Sequence, residues 1–353
     1  MKVVIAIDSF KGCLTSMEAN QAAAEGVRYA CPDAEVVQVA VSDGGEGFVE
    51  AFQAAVGGEM VKAAVRDPLM RPITAKYLLH GDTAVLEVAQ ASGLALLTTE
   101  ERNPMITTSY GTGQMVADAV RRGVGHIIVG LGGSATSDAG IGMIEALTDA
   151  LSKHRTWDDI EELRHVRFTI ASDVRNPLYG KNGAAHVFAP QKGATQDMIR
   201  LLDEKARRFA KASARRFGYD RSQMEGAGAA GGLGYAFLQY MDAECKSGIQ
   251  LLLETIRFEK LVDKADLVIT GEGAADCQTL MGKLPMGILE HAGQHPVCLI
   301  AGQVNDGERL LQAGFSRVEC INPPSISIEE AMRQKVALRN IRHTTCQIMR
   351  TSF

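Results

Sequence analysis

Short apolar blocks alternate along this chain with longer stretches whose apolar residues recur at helical spacing. The first block, Lys2-Val-Val-Ile-Ala-Ile-Asp8, is apolar on successive residues and ends in a carboxylate, which predicts a buried parallel strand. Thr15-Ser-Met-Glu18 has the spacing of a capping box and opens a helix towards Cys31-Pro32. Glu35 to Val41 is a second strand, stopped by Asp43-Gly-Gly-Glu-Gly47. Phe48 to Val56 is a short helix closed by Gly57-Gly58. A β-α-β-α opening implies a parallel, doubly wound sheet.

The texture changes after Gly58. Met60 to Val65, Ile73 to Leu79 and Ala84 to Val88 are strand-like but separated by turn signals, Asp67-Pro68 and Gly81-Asp82, which predicts an antiparallel meander. A helix over about 113–122, a strand over 126–131 and a glycine-rich loop lead into a helix over 141–151. A strand over 166–171 ends in Ser172-Asp-Val-Arg-Asn-Pro177, and an amphipathic helix over 196–217 carries its arginines and lysines on a solvated face. From about 259 the strand–helix alternation resumes: a strand over 265–270, a loop over 271–283, a helix over 284–292, strands over 297–301 and 317–321, and a last helix over 328–348. Because the two ends share one texture, the chain is expected to be α/β, with a discontinuous Rossmann-like parallel-sheet domain (1–60 plus 259–353). Residues 61–258 are expected to form an inserted second α/β domain with a mixed sheet.

Composition narrows the function. Lys and Arg number 37 against 42 Asp and Glu, and the net charge of -5 comes without any basic run, which argues against nucleic acid as a partner. No apolar block is long enough for a membrane helix, and the N-terminus lacks the layout of a signal peptide, so a cytoplasmic location is expected. The 7 cysteines are scattered without a C-x-x-C pair and are expected to be free thiols rather than a disulfide framework or zinc site. Glycine is the unusual count, at 36 residues.

The glycines cluster in loops. Gly226-Ala-Gly-Ala-Ala-Gly231 matches the dinucleotide fingerprint, but Tyr219 to Glu225 before it is polar, and Asp242 and Glu244 beyond it are expected on a helix. The run is therefore expected either to bring backbone amides to an anion or to let helices pack closely. No Walker A pattern, H-R-D loop, D-F-G triplet or G-x-S-x-G elbow occurs. What recurs instead is a carboxylate at the carboxyl end of a predicted strand: Asp8, Asp43, Asp173 and Glu272. Lysines accompany them at Lys11, Lys192 and Lys283. That edge of an open α/β sheet is where ligands bind. Carboxylates hold Mg²⁺ or take a hydroxyl proton, and lysines neutralise phosphate, so the pattern suggests phosphoryl transfer to a small hydroxylated substrate. It does not name that substrate.

Taken in order, the motifs resemble those of the bacterial class I glycerate kinases. They are Asp8-Ser-Phe-Lys11, Asp43-Gly-Gly-Glu-Gly47, Gly132-Gly-Ser-Ala-Thr136 with Asp138, and Asn176-Pro-Leu178. Gln191-Lys-Gly-Ala-Thr195, Gly226 to Gly232, and Gly271-Glu-Gly273 with Asp276 and Gln278-Thr-Leu280 follow. The resemblance runs from the first strand to the final helix. It implies ATP-dependent phosphorylation of D-glycerate, usually at the 2-hydroxyl, with Mg²⁺, and an active site in the cleft between two domains. A kinase for another small sugar acid, or a sugar-acid-binding homologue, is the alternative, and a homodimer is compatible with either. Carried over residue by residue, the resemblance assigns catalysis to Asp173 (as general base), Asp8, Lys11 and Lys283. Substrate or phosphate binding falls to Asp43, Gly44, Gly45, Glu46, Ser134, Asp138, Asn176, Gln191, Lys192, Gly231, Gly232, Glu272, Asp276 and Gln278, with Glu272 and Asp43 as metal ligands. The chain departs from the family pattern at Ala274, where an arginine is usual, at Arg175, often acidic, and in a shorter segment between Leu151 and Arg167.

Overall fold

The computed structural model describes every residue except Asp43, Glu46 and Phe353. In chain order its strands are β1 (Lys2–Ile7), β2 (Glu35–Gln38), β3 (Glu59–Arg66), β4 (Pro72–His80), β5 (Thr83–Glu87), β6 (His126–Gly130), β7 (Arg167–Ala171), β8 (Glu244–Lys246), β9 (Leu267–Ala275), β10 (Val297–Val304) and β11 (Arg317–Cys320). The chain is an α/β protein that divides into two compact units, one of residues 1–43, 54–56 and 249–353, the other of residues 44–53 and 57–248.

The first unit holds a five-stranded sheet in the order β11-β10-β9-β1-β2, all of its pairs parallel. Val3 to Ile7 are fully buried, as a parallel strand covered on both faces must be. The helix Ser16–Ala30 starts at the expected capping box, with Thr15 and Glu18 satisfying each other's backbone amides, and ends at Cys31. It lies so close to the last helix, Gln334–Ser352, that a Cβ on Gly26 would overlap the side chain of Thr345. β2 is shorter than expected, because the Val41 amide turns to the Ser16 hydroxyl at 3.1 Å.

Two expectations at the chain's end are corrected. β9 does not stop at Thr270 but runs through Gly271-Glu-Gly to Ala275, because β10 extends to Val304 and supplies partners for Ala274 and Ala275. The predicted last helix is two helices, Ile328–Ala331 and Gln334–Ser352. The break at Met332-Arg333 carries neither Pro nor Gly, so no local signal announces it.

The second unit holds a six-stranded mixed sheet in the order β3-β4-β5-β6-β7-β8. β3, β4 and β5 form the antiparallel meander, with the alternating burial of β3 that a sheet with one wet face requires. β5 to β8 then pair in parallel. The helices Ile141–Leu151 and Gln196–Phe217 have the predicted bounds. The helix expected from about 113 begins at Tyr110, since Gly111 and Gly113 act as contact points rather than breakers. Asp242 and Glu244 are not helical: a helix ends at Met241, Asp242 is left-handed, and Glu244 opens β8.

Candidate active site

In the first unit the strand order, renumbered along its own strands, reads 2-1-3-4-5. The chain leaves β1 for β2 on one side, then returns to β9 on the other. Such a reversal opens a crevice at the carboxyl ends of the two central strands. A cavity of about 380 Å³ sits there. It is lined by Asp8 and Lys11 after β1, Glu272 and Ala274 of β9, Gly302 and Gln303 of β10, Asn322 after β11, and Lys283.

Each charged group is held by local structure. Asp8 is 8% exposed, and its Oδ1 accepts the Ser9 amide at 2.7 Å. Glu272 is 7% exposed, and its Oε1 accepts the Thr279 hydroxyl at 2.6 Å. Its Oε2 faces the Lys283 ammonium at 3.4 Å. Burial pushes the Glu272 carboxyl above the usual range, opposed by the Thr279 hydroxyl and Lys283. Asp276 caps the turn after β9, with Oδ1 accepting the Gln278 amide at 2.8 Å and lying 4.0 Å from Lys283, whereas the Gln278 side chain is exposed. Lys11 is exposed at the pocket. Two carboxylates and two ammonium groups thus share one crevice. Close packing also shapes the floor: a Cβ on Gly302 would stand 2.6 Å from the Gly273 carbonyl.

The other predicted residues lie in the second unit, except Asp43 and Glu46, which fall outside the described residues. Gly44 and Gly45 pack on the carboxyl end of β6, where the Gly132 amide donates to the Gly44 carbonyl at 3.1 Å. Asp173 follows β7 by two residues and is exposed; the Ser172 amide before it is tied to the Lys246 carbonyl at 2.9 Å. The Asn176 amide group donates to the Asn182 carbonyl at 2.8 Å, and Gln191 is exposed. Asp138 caps the helix Ile141–Leu151 from within, accepting the Gly140 amide at 3.0 Å and, on its other oxygen, the Ser109 amide and hydroxyl, both at 2.8 Å.

Lys192 is buried at 2% exposure. Its ammonium donates to Ser134 Oγ at 2.9 Å and to the Thr136 carbonyl at 2.6 Å, so it braces the Gly132–Gly140 loop from below. Burial, opposed by Asp138, pulls its pKa down to about 7. The hydroxyls of Thr136 and Ser137 beside it are buried and lack a hydrogen-bond partner among the described residues, which leaves polar capacity for a ligand or solvent. Gly231 and Gly232 close this region by backbone approach. Gly231 has φ +67° and a Cβ there would overlap the Thr136 carbonyl, while one on Gly232 would stand 2.7 Å from Ala139 Cα. Close packing is one of the two roles left open for the glycine run, and these contacts require glycine at both positions. Among the described residues all seven cysteines are free, and no three His, Cys, Asp or Glu side chains group for a metal.

One residue the sequence reading missed is Glu87, the last of β5 and 2% exposed. Its Oε1 accepts the Val49 amide at 2.7 Å and so caps the helix Phe48–Val56. It is a strand-end carboxylate like the others, so the signal existed. Burial raises its pKa to about 7 from an ordinary 4.5. The folded state then holds a proton that the unfolded chain releases, and this group's contribution to stability declines as pH rises from about 4.5 to 7. Glu87→Gln keeps the acceptor without the charge. It should therefore gain on the wild type between pH 5 and pH 8 by up to about 3 kcal/mol, read from denaturant unfolding at both pH values.

Comparison with known proteins gives the family. The model of the glycerate kinase family matches residues 3–352. A glycerate kinase of Bacillus subtilis is 42% identical over 94% of this chain and 93% of its own length. The glycerate 2-kinase of Escherichia coli K12 is 39% identical over 100% of both chains. The crystal structure of a candidate glycerate kinase 2 from Salmonella typhimurium LT2 superposes with a TM-score of 0.81 at 37% identity, covering 99% of this chain and 98% of that one. With the match continuous from the first strand to the final helix, the chain belongs to the glycerate kinase family.

Proposed function

We propose that this enzyme transfers the γ-phosphoryl group of ATP to D-glycerate. The observation that carries the reading is the crevice at the β1/β9 reversal, where Asp8, Lys11, Glu272 and Lys283 converge in a chain of this family. Phosphoryl transfer needs positioning and charge compensation more than covalent chemistry. Lys11 and Lys283 compensate phosphate oxygens. Asp8 and Glu272 supply the hard carboxylate oxygens that fit Mg²⁺, which binds through one or two carboxylates and completes its shell with water and substrate phosphates. When bound, Mg²⁺ supplies neutralisation of the transferring group. Asp173 takes the proton of the attacking hydroxyl as that oxygen bonds to the γ-phosphorus and the bond to the leaving ADP oxygen breaks.

The 2-hydroxyl is the preferred acceptor, a reading supported by the name of the Escherichia coli relative. The free thiols fit a reducing compartment, and we place the enzyme in the cytoplasm. The direct test is ADP release coupled to D-glycerate, with the product identified by phosphorus NMR. No release with D-glycerate, or release with another sugar acid only, would reject the assignment.

Ala274 lines the crevice where relatives are expected to carry arginine, and Arg175 is exposed after β7. If Arg175 substitutes for the absent charge, Arg175→Asp should lower kcat/KM about 30- to 1,000-fold, the loss of one transition-state donor, and adding Ala274→Arg should recover much of it. Additive, near-neutral effects would leave Arg175 as a surface residue.

A further inference from the structure

The crevice of the first unit has a lining of two unlike kinds. Lys11, Lys283 and the carboxylates make up its charged part; Phe10, Ile321, Ile328, Ala331, Met332 and Ala337 make up its apolar part, the apolar wall. Phe10, Ile321 and Ala337 of the apolar wall belong to the buried core, and the residues in front of them are open. Ile328 is 64% exposed and Met332 48% exposed, and they stand four residues apart, so they project on one side of the chain. Met332 also reaches over the first loop: its Cε lies 3.7 Å from where a Cβ on Gly12 would be. Between the walls Asn322 is fixed, donating to the Gly302 carbonyl at 2.8 Å and accepting from Asn340 at 2.9 Å. It keeps an N–H for a ligand.

D-glycerate has one carboxylate and two hydroxyls and no apolar face. It would use the charged wall and leave the other wet. The cavity of about 380 Å³ lies within the roughly 300–1,000 Å³ of pockets that take ligands of drug size, well beyond a three-carbon acid. A nucleotide has both characters, a charged chain at one end and a planar, largely apolar base at the other, and mononucleotides occupy this reversal point in sheets of the same strand order. Resting on the phosphotransfer reading above, we infer that the apolar wall built by Ile321, Ile328 and Met332 is the nucleobase subsite, with the phosphates running towards Lys11 and Lys283. The short helix Ile328–Ala331 and the break after it are then a specificity element, since they set Ile328 and Met332 against the base.

The test is calorimetric titration of the wild type and of Ile328→Asp/Met332→Asp with Mg-ADP, with inorganic tripolyphosphate and with D-glycerate. Both side chains are exposed, so an unchanged unfolding midpoint is expected for the double variant. The inference expects ADP affinity to fall at least 20-fold, with tripolyphosphate and D-glycerate affinities within twofold of the wild type. It is overturned if ADP affinity is unchanged, if D-glycerate affinity falls with it, or if the wild type binds no ADP. The two readings fail separately. A wild type that binds ADP and loses it in the variant, yet never phosphorylates D-glycerate, retains the base subsite and rejects the reaction. An enzyme that turns over D-glycerate while the variant binds ADP normally rejects the subsite alone.

Discussion

Asp173→Asn should lower kcat with D-glycerate by about 10²- to 10⁴-fold, the range of a lost general base, while KM for either substrate changes little. Asparagine keeps the size of the side chain and removes its capacity to accept a proton. Asp173 is exposed and the Ser172 amide before it is tied to the Lys246 carbonyl at 2.9 Å, so an isosteric substitution should leave the fold in place. Two controls separate catalysis from binding: the affinity for ADP and the unfolding midpoint, both expected at wild-type values. A kcat within threefold of the wild type would remove Asp173 from the chemistry. A raised KM with unchanged kcat would instead make it a binding group.

The second large effect is on stability, at Lys192. The unfolded lysine ionises near 10.5, whereas the buried one has a pKa of about 7. Between those values the unfolded chain binds a proton that the folded chain does not, so this group's contribution to stability rises with pH through that window. At about 1.4 kcal/mol per unit, the whole window amounts to roughly 4–5 kcal/mol, as an upper bound. The penalty of the buried charge is complete below pH 7 and is relieved as pH climbs towards 10. Lys192→Met keeps the stem and removes the titration. The difference in unfolding free energy between wild type and variant should move in favour of the wild type from pH 6.5 to pH 9.5. A difference that stays flat across that range would mean that the amine keeps its charge in the fold. Lys192→Ala should be worse at every pH. It opens a cavity and leaves Ser134 Oγ and the Thr136 carbonyl without their donor, at about 1–3 kcal/mol for each buried group left unsatisfied.

Much of this molecule was legible without coordinates, because the signals concerned are local. The strands β1 and β3 to β7 and the helices over 16–30, 141–151 and 196–217 follow from apolar runs, alternation and the Thr15–Glu18 cap. The turn residues at 67–68 and 81–82 marked the connections within the meander as turns rather than helical crossovers, and the ordered set of motifs was enough to suggest the family. What the sequence could not decide depends on partners distant along the chain. Glu272 was expected beyond its strand and lies inside it, because β10 runs on to Val304 and offers hydrogen bonds that no pattern within 265–275 encodes. Lys192 reads as one of three lysines set to neutralise phosphate, and only the fold shows it buried under the Gly132–Gly140 loop, bonded to Ser134 and Thr136. The close approach that requires glycine at 231 and 232 is set by the backbone at Thr136 and Ala139, about ninety residues earlier, and no local pattern announces it. Glu87 carries the same strand-end signal as the other carboxylates, but its task of capping a helix depends on the Val49 amide, 38 residues away. Sequence by itself determined where the chain turns, which faces are apolar and which family it resembles, since period and local hydrogen bonding act within a few residues. Tertiary structure alone decided which polar groups lose water and which partners restore their hydrogen bonds, since desolvation depends on every element that packs around them.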